Sequence, residues 1–187
     1  MAASQKRKNV AALHNEAVRR GFKPLLEISS KSTRLLGRNL SAFCQTLMLE
    51  GKTLSIESAY QGSKVFEKGG PFTDLYKASS RDAKKDERLR SSGRLIGFHY
   101  DGEDFPLSPT TAFYDWLYLN AIYRNRRWLR RLDRWAGFTD IEFNPERSLN
   151  CQARSCAIFV ALQHRDELDE AMASFGSFLT ATSGAAL

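Results

Sequence analysis

The chain has 187 residues, 42% hydrophobic and 26% charged, a length and balance that suit one globular domain around one core. It contains no run of eighteen apolar residues, which excludes a membrane-spanning helix, and the basic opening MAASQKRKNVAALHNEAVRR lacks the apolar stretch of a secretory signal. The net charge of +7 draws polyanions, of which nucleic acid is the usual intracellular one, although charge also serves solubility alone.

Three cysteines (Cys44, Cys151, Cys156) are an odd count without an export signal, which points to free thiols and a cytoplasmic setting. His14, His99 and His164 lie far apart, and Cys151 and Cys156 have no second pair to close a tetrahedron. No metal and no cofactor are therefore expected. The same scarcity leaves a Ser–His–Asp or Cys–His scheme without a base near its nucleophile.

In chain order, residues 1–20 read as a flexible, loosely helical basic arm, residues 21–178 as the domain proper, and residues 179–187 as a fraying tail. Lys23 to Ser29 (KPLLEIS) reads as a short extended segment. Phe43 to Leu54 predicts a hairpin turning at Glu50-Gly51-Lys52. Ser55 then predicts an N-cap, with Glu57 in the first turn where the helix dipole favours an acid, and a helix running to about Lys68 before Gly69-Gly70-Pro71 stops it. A charged helix is predicted over Phe72 to Arg90, and a second hairpin over Leu95 to Leu107 around Asp101-Gly102.

Ser108-Pro109 predicts the start of a helix carrying Phe113, Trp116, Leu117 and Ala121 inward, either continuing to Trp135 or breaking near Asn125. Phe138 to Phe143 reads as a strand or extended loop, and Ser155 to His164 as a buried apolar helix. The predicted class is α+β, mainly helical, with a few short β-hairpins.

On a helix from Ser55, the carboxylate of Glu57, the amide of Gln61 and the amine of Lys64 fall at i, i+4 and i+7 and share one side. Such a stripe suits an active site, although an isolated pattern of this kind is more often a solvated face. Gly69 and Gly70 offer bare backbone to a phosphate, or a plain helix stop. Trp116 offers a stacking face, or a core position. Tyr123 to Trp135 carries six arginines; wound as a helix it sets Trp128, Leu132 and Trp135 on one face and Arg127, Arg131 and Arg134 on another, with Arg130 in the same basic stretch. These arginines grip DNA phosphates or are simply solvated.

N-L-S-A-F (Asn39 to Phe43) and L-E-G-K-T-L-S-I-E-S-A-Y-Q-G-S-K-V-F (Leu49 to Phe66) resemble the NADAR superfamily, with its S-N-F-like element, short hairpin and E-H-x-x-Q-x-x-K helix. Ser58 stands where that pattern has histidine. F-T-D-I-E-F (Phe138 to Phe143) is similar to the family's acidic loop, with Asp140 at the acidic position. The resemblance covers roughly residues 25 to 165. V-F-E-K-G-G-P-F, F-Y-D-W-L-Y-L and N-P-E-R-S-L-N-C-Q-A-R-S-C are similar to the branch that accompanies DNA ADP-ribosyltransferase toxins as their antidote. The chain departs from the broad pattern before its last core helix, where SLNCQARSC replaces a glycine-rich turn and an N-x-L-G element.

The resemblance implies an enzyme that removes ADP-ribose from guanine in DNA, with ADP-ribosylated DNA as substrate, ADP-ribose as product, and a DNA ADP-ribosyltransferase toxin as partner. It implies catalytic roles for Glu57 and Asp140; Lys64 joins them as an amine able to attack an opened sugar aldehyde, with Arg38 the candidate cation that keeps it uncharged, and Asn39, Ser41, Gln61, Gly69, Gly70 and Trp116 complete the candidates toward the ligand. Two other functions remain open on the sequence: an N-glycosidase for a small phosphorylated riboflavin-pathway metabolite, and a non-catalytic ADP-ribose or nucleic-acid binding module.

Overall fold

The computed structural model of the protein describes residues 3–146 and 148–183. Helix α1 (Ala3–Arg19) is followed by strand β1 (Leu25–Glu27) and helix α2 (Leu35–Asn39). The hairpin β2 (Thr46–Leu49) and β3 (Lys52–Ser55) leads into α3 (Ile56–Gly62) and β4 (Lys64–Phe66). A 3₁₀ turn (Thr73–Lys77), α4 (Ser80–Lys85) and α5 (Arg88–Ser91) precede the hairpin β5 (Leu95–Tyr100) and β6 (Glu103–Phe105). Then come α6 (Ala112–Tyr123), α7 (Arg126–Leu129), a 3₁₀ turn (Arg130–Arg134) and β7 (Gly137–Thr139). Helices α8 (Gln152–His164), α9 (Leu168–Ala171) and α10 (Phe175–Ser183) end the described chain. The class is mainly helical α+β, with strands confined to small sheets. Among the described residues no helix is long and apolar enough to cross a membrane.

The chain divides into two units, Met1–Ser41 with Ile122–Leu187, and Ala42–Ala121. In the first, β1 and β7 pair in parallel, Leu25 with Gly137 and Glu27 with Thr139, and Leu26, Ile28, Leu129, Leu132, Phe159 and Phe178 are buried. In the second, β4–β5–β6 form an antiparallel sheet, and the rings of Tyr60, Phe98, Phe105 and Phe113 pack at centroid distances of 4.5 to 6.2 Å. Such offset and tilted ring packing adds about 0.5–1.5 kcal/mol per pair beyond area burial.

Both predicted hairpins form, and each turns on residues in the left-handed region: Glu50 (φ 49°) with Gly51 (φ 75°), and Asp101 (φ 53°) with Gly102 (φ 77°). Two consecutive positive φ values give the strand-matching turn that Gly and Asp tolerate. Ser55 caps α3 as predicted, its Oγ accepting from the Ser58 N–H at 3.0 Å.

Other expectations are corrected. Residues 3–19, expected as a loosely helical arm, form the α-helix α1, with Val10 buried; residues 1–2 and 184–187 of the expected arm and tail lie outside the described residues. Helix α3 stops at Gly62 rather than near Lys68. There Ser63 turns its N–H and Oγ onto Ala59 O, and the Ser63 carbonyl accepts from His99 N–H at 2.7 Å, pulling the chain into the sheet. The single helix expected over Phe72 to Arg90 is three short pieces, because Ser79 caps α4 through Asp82 N–H and Asp86 Oδ1 accepts from Arg88 N–H. The helix expected from Ser108-Pro109 begins at Ala112, whose N–H bonds Pro109 O in a preceding turn. It ends at Tyr123, before Asn125. The arginine-rich segment is therefore a short helix plus a 3₁₀ turn. Its expected apolar face splits: Leu132 is fully buried while Trp128 is 44% exposed.

Candidate active site

Within the second unit, α3 carries Glu57 half-buried and Gln61 buried, one turn apart on the same side. Gln61 Nε2 donates to Glu57 Oε1 at 2.6 Å. That bond fixes the amide so that Gln61 Oε1, also buried, points away with no hydrogen-bond partner. An acceptor left unpaired in the interior costs about 1–3 kcal/mol, which a ligand hydroxyl or N–H would recover.

Lys64 is not on the helix with them. It opens β4, in register with Phe98 of β5, and its Nζ lies 4.9 Å from the centre of the Tyr60 ring. Burial holds its amine below the ordinary lysine range; the Glu57 carboxylate opposes this and Lys84 adds to it. The expected helical spacing thus holds for Glu57 and Gln61, and the amine of Lys64 reaches the electrostatic range of Glu57 by strand pairing instead.

Gly69 bridges back to Phe66, whose N–H donates to Gly69 O at 2.7 Å. Gly70 has φ +90°, and a Cβ added there would run into the Lys64 carbonyl. Bare backbone at Gly70 thus seats β4 and the start of Lys64. Trp116 is half-buried on α6, its carbonyl accepting from Asn120 Nδ2 at 2.8 Å.

Within the first unit, Asp140 follows β7. Its Oδ1 accepts from Glu142 N–H and its Oδ2 from Gln152 Nε2, both at 3.0 Å. Burial pushes its carboxyl up to about 6, and the nearby Glu27 carboxylate adds to the rise while these donors oppose it. Glu27 is 2% exposed and accepts from Ser29 Oγ (2.6 Å), Thr139 Oγ1 (2.6 Å) and Ile141 N–H (2.8 Å). Arg38 spends Nη1 on Ser32 O at 2.9 Å, Ser41 is fully buried and Asn39 is exposed.

Sequence reasoning missed Glu27, Thr139, Gln152 and His14. The one available signal was a lone acid between apolar neighbours in L-L-E-I, where Leu26 and Ile28 both prove fully buried. Arg127, Arg130, Arg131 and Arg134 are all exposed, and Arg131 stacks on Trp128 at 4.1 Å. Among the described residues no group of three or more His, Cys, Asp and Glu side chains is disposed to hold a metal ion.

A carboxylate, an oriented amide and a buried amine make up one grouping, and an acid of raised proton affinity anchors the other. Both fall on the segments that carry the family likeness. The family model described as the DarT1-associated NADAR antitoxin matches residues 1–186. Among curated proteins none matches the chain. By the extent of the family match, this chain belongs to the DarT1-associated NADAR antitoxin family.

Proposed function

We propose that this antitoxin is an ADP-ribosyl glycohydrolase that removes ADP-ribose from guanine bases in DNA, undoing the modification made by a DNA ADP-ribosyltransferase. The observation that carries the proposal is the grouping of Glu57, Gln61 and Lys64, in which burial favours the uncharged amine beside a carboxylate.

Breaking the bond between ribose C1 and a base nitrogen sends the electron pair to the base and leaves positive charge at C1. A carboxylate close to C1 stabilises that charge and orients water or a ribose hydroxyl. Glu57 takes this role, and Gln61 Oε1 accepts from a ribose hydroxyl. Water adds at C1 as the base takes a proton and leaves, and the resulting hemiacetal opens to the aldehyde; the uncharged Lys64 amine attacks that carbon, forming a Schiff base with loss of water, and a further water hydrolyses it to give free ADP-ribose and restore the amine. Asp140 is the second acid of the reaction, and its raised proton affinity suits proton delivery to the departing base near neutral pH. Arg38, Asn39, Ser41, Gly69, Gly70 and Trp116 remain ligand-contact proposals.

The exposed Arg127, Arg130, Arg131 and Arg134 favour a polymeric, phosphate-bearing substrate over a small metabolite, which needs no extended cationic surface. The test is release of free ADP-ribose from DNA carrying ADP-ribosylated guanine. Wild type releases it, and folded Glu57→Ala, Lys64→Ala and Asp140→Ala lose most of that turnover. Unchanged turnover in all three removes the assignment, and no release by wild type leaves a binding module.

A further inference from the structure

Burying a carboxylate between Leu26 and Ile28 costs free energy that an apolar residue at position 27 would not. What the Glu27 carboxylate does there is hold its neighbours. Two of its three donors, Thr139 Oγ1 and Ile141 N–H, belong to the residues on either side of Asp140. Both flanks of Asp140 are thereby tied to one buried group.

Helix α1 continues the same network. Thr139 gives its hydroxyl proton to Glu27, so its oxygen is the acceptor toward His14 Nε2, 2.8 Å away. That assigns the ring proton to Nε2, and burial, which holds His14 below its ordinary range against the pull of Glu27, favours this neutral form. On the other flank Lys6 of α1 and Lys31 both pair with Glu142, whose backbone N–H donates to Asp140 Oδ1. Gln152 of α8 holds the second oxygen.

We propose that Glu27 is a positioning residue for Asp140, and that His14 and Lys6 complete the frame, making the first helix part of the support for the reacting acid. The proposal rests on Asp140 having the role given above. Its sign is fixed: the Glu27 charge disfavours ionisation of Asp140, so removing that charge lowers the proton affinity of Asp140. The other titratable groups of this network are His14 and Lys6 from α1, Lys31 after β1, and Glu142 in the turn, while α8 faces Asp140 with the neutral amide of Gln152.

The test uses the full chain and two readouts, a carboxyl-carbon NMR titration of Asp140 and a pH–rate profile for ADP-ribose release. In Glu27→Gln the Asp140 titration moves to lower pH by about half a unit or more, and the profile limb moves with it. In His14→Ala and Lys6→Ala, kcat falls roughly tenfold with KM within about threefold, and Lys6→Arg restores it. In an Asp140→Asn background Glu27→Gln changes kcat by less than about twofold.

An Asp140 titration that stays put in folded Glu27→Gln overturns the proposal, as does a full additional loss in the Asp140→Asn background. Should Glu27→Gln fail to fold, Thr139→Val must shift the titration and Thr139→Ser must not. If the titration moves while Asp140→Asn keeps full turnover, the frame stands and the catalytic reading of Asp140 falls instead.

Discussion

Gln61 donates to Glu57 at 2.6 Å, and that single bond turns the remaining oxygen of the amide into a buried acceptor with no partner. Leaving such an acceptor unpaired costs about 1–3 kcal/mol, which a ligand hydroxyl or N–H would offset. Gln61→Met, close in volume, is expected to melt at or above the wild-type temperature and to bind ADP-ribose at least about tenfold more weakly, a loss of about 1.4 kcal/mol. Calorimetric titration and thermal melting together check this. Retained affinity with a lowered melting temperature would make Gln61 merely structural.

Lys64 sits where burial lowers its proton affinity while Glu57 is within electrostatic reach. A covalent role predicts that borohydride added during turnover reduces the imine to a stable secondary amine at this residue, seen as an ADP-ribose adduct by peptide mass. Lys64→Met gives no adduct. Lys64→Arg, permanently charged, is expected to lose at least about a hundredfold in kcat. Full turnover without any adduct at Lys64 excludes the covalent step.

Asp140, raised to about 6 from a usual 3.8, links stability to pH with a definite sign. Between those two values the folded state holds the proton that the unfolded chain has released, so folding stability falls as pH rises through this window. The effect reaches at most about 3 kcal/mol above it. Asp140→Asn escapes that loss. Its melting temperature relative to wild type should therefore climb as the pH is raised from 4 toward 7; a constant difference rejects the raised proton affinity.

Gly70 combines φ +90° with a Cβ position already filled by the Lys64 carbonyl. Gly70→Ala is expected to destabilise by about 2 kcal/mol or more and to disturb the seat of β4, so that kcat drops even in the fraction that remains folded. Gly51→Ala, where open space replaces the carbonyl, separates the two effects: it carries the strain of its φ of 75° without the collision. Equal losses in the two variants would deny the packing role of Gly70.

The exposed arginines make a salt-sensitive prediction. Arg127→Glu with Arg131→Glu should raise KM on ADP-ribosylated DNA several-fold and flatten its salt dependence, while leaving free ADP-ribosyl-guanosine within about twofold. Equal effects on both substrates would move these residues from DNA contact to folding.

Local chemistry wrote several elements directly into the sequence. Glu50-Gly51 and Asp101-Gly102 supply the positive φ values that a tight reversal needs, and both hairpins appear where those pairs stand. Ser55 before Ile56-Glu57 marks a helix start because its hydroxyl satisfies a free N–H of the first turn, and Glu57 with Gln61 meet because four residues make about one turn. These interactions span a few residues, so spacing alone reveals them.

Tertiary structure decided the rest. Lys64 leaves the predicted helix because β5 offers Lys64–Phe66 a sheet edge, a partner about thirty positions downstream that no local pattern announces. Glu27 and Asp140 are brought together by the parallel pairing of β1 with β7, Glu27 opposite Thr139. Parallel strands are joined through long connections and leave no turn signature between them. A buried acid at position 27 is then legible only once the groups that bond it, from Ser29, Thr139 and Ile141, have been folded around it.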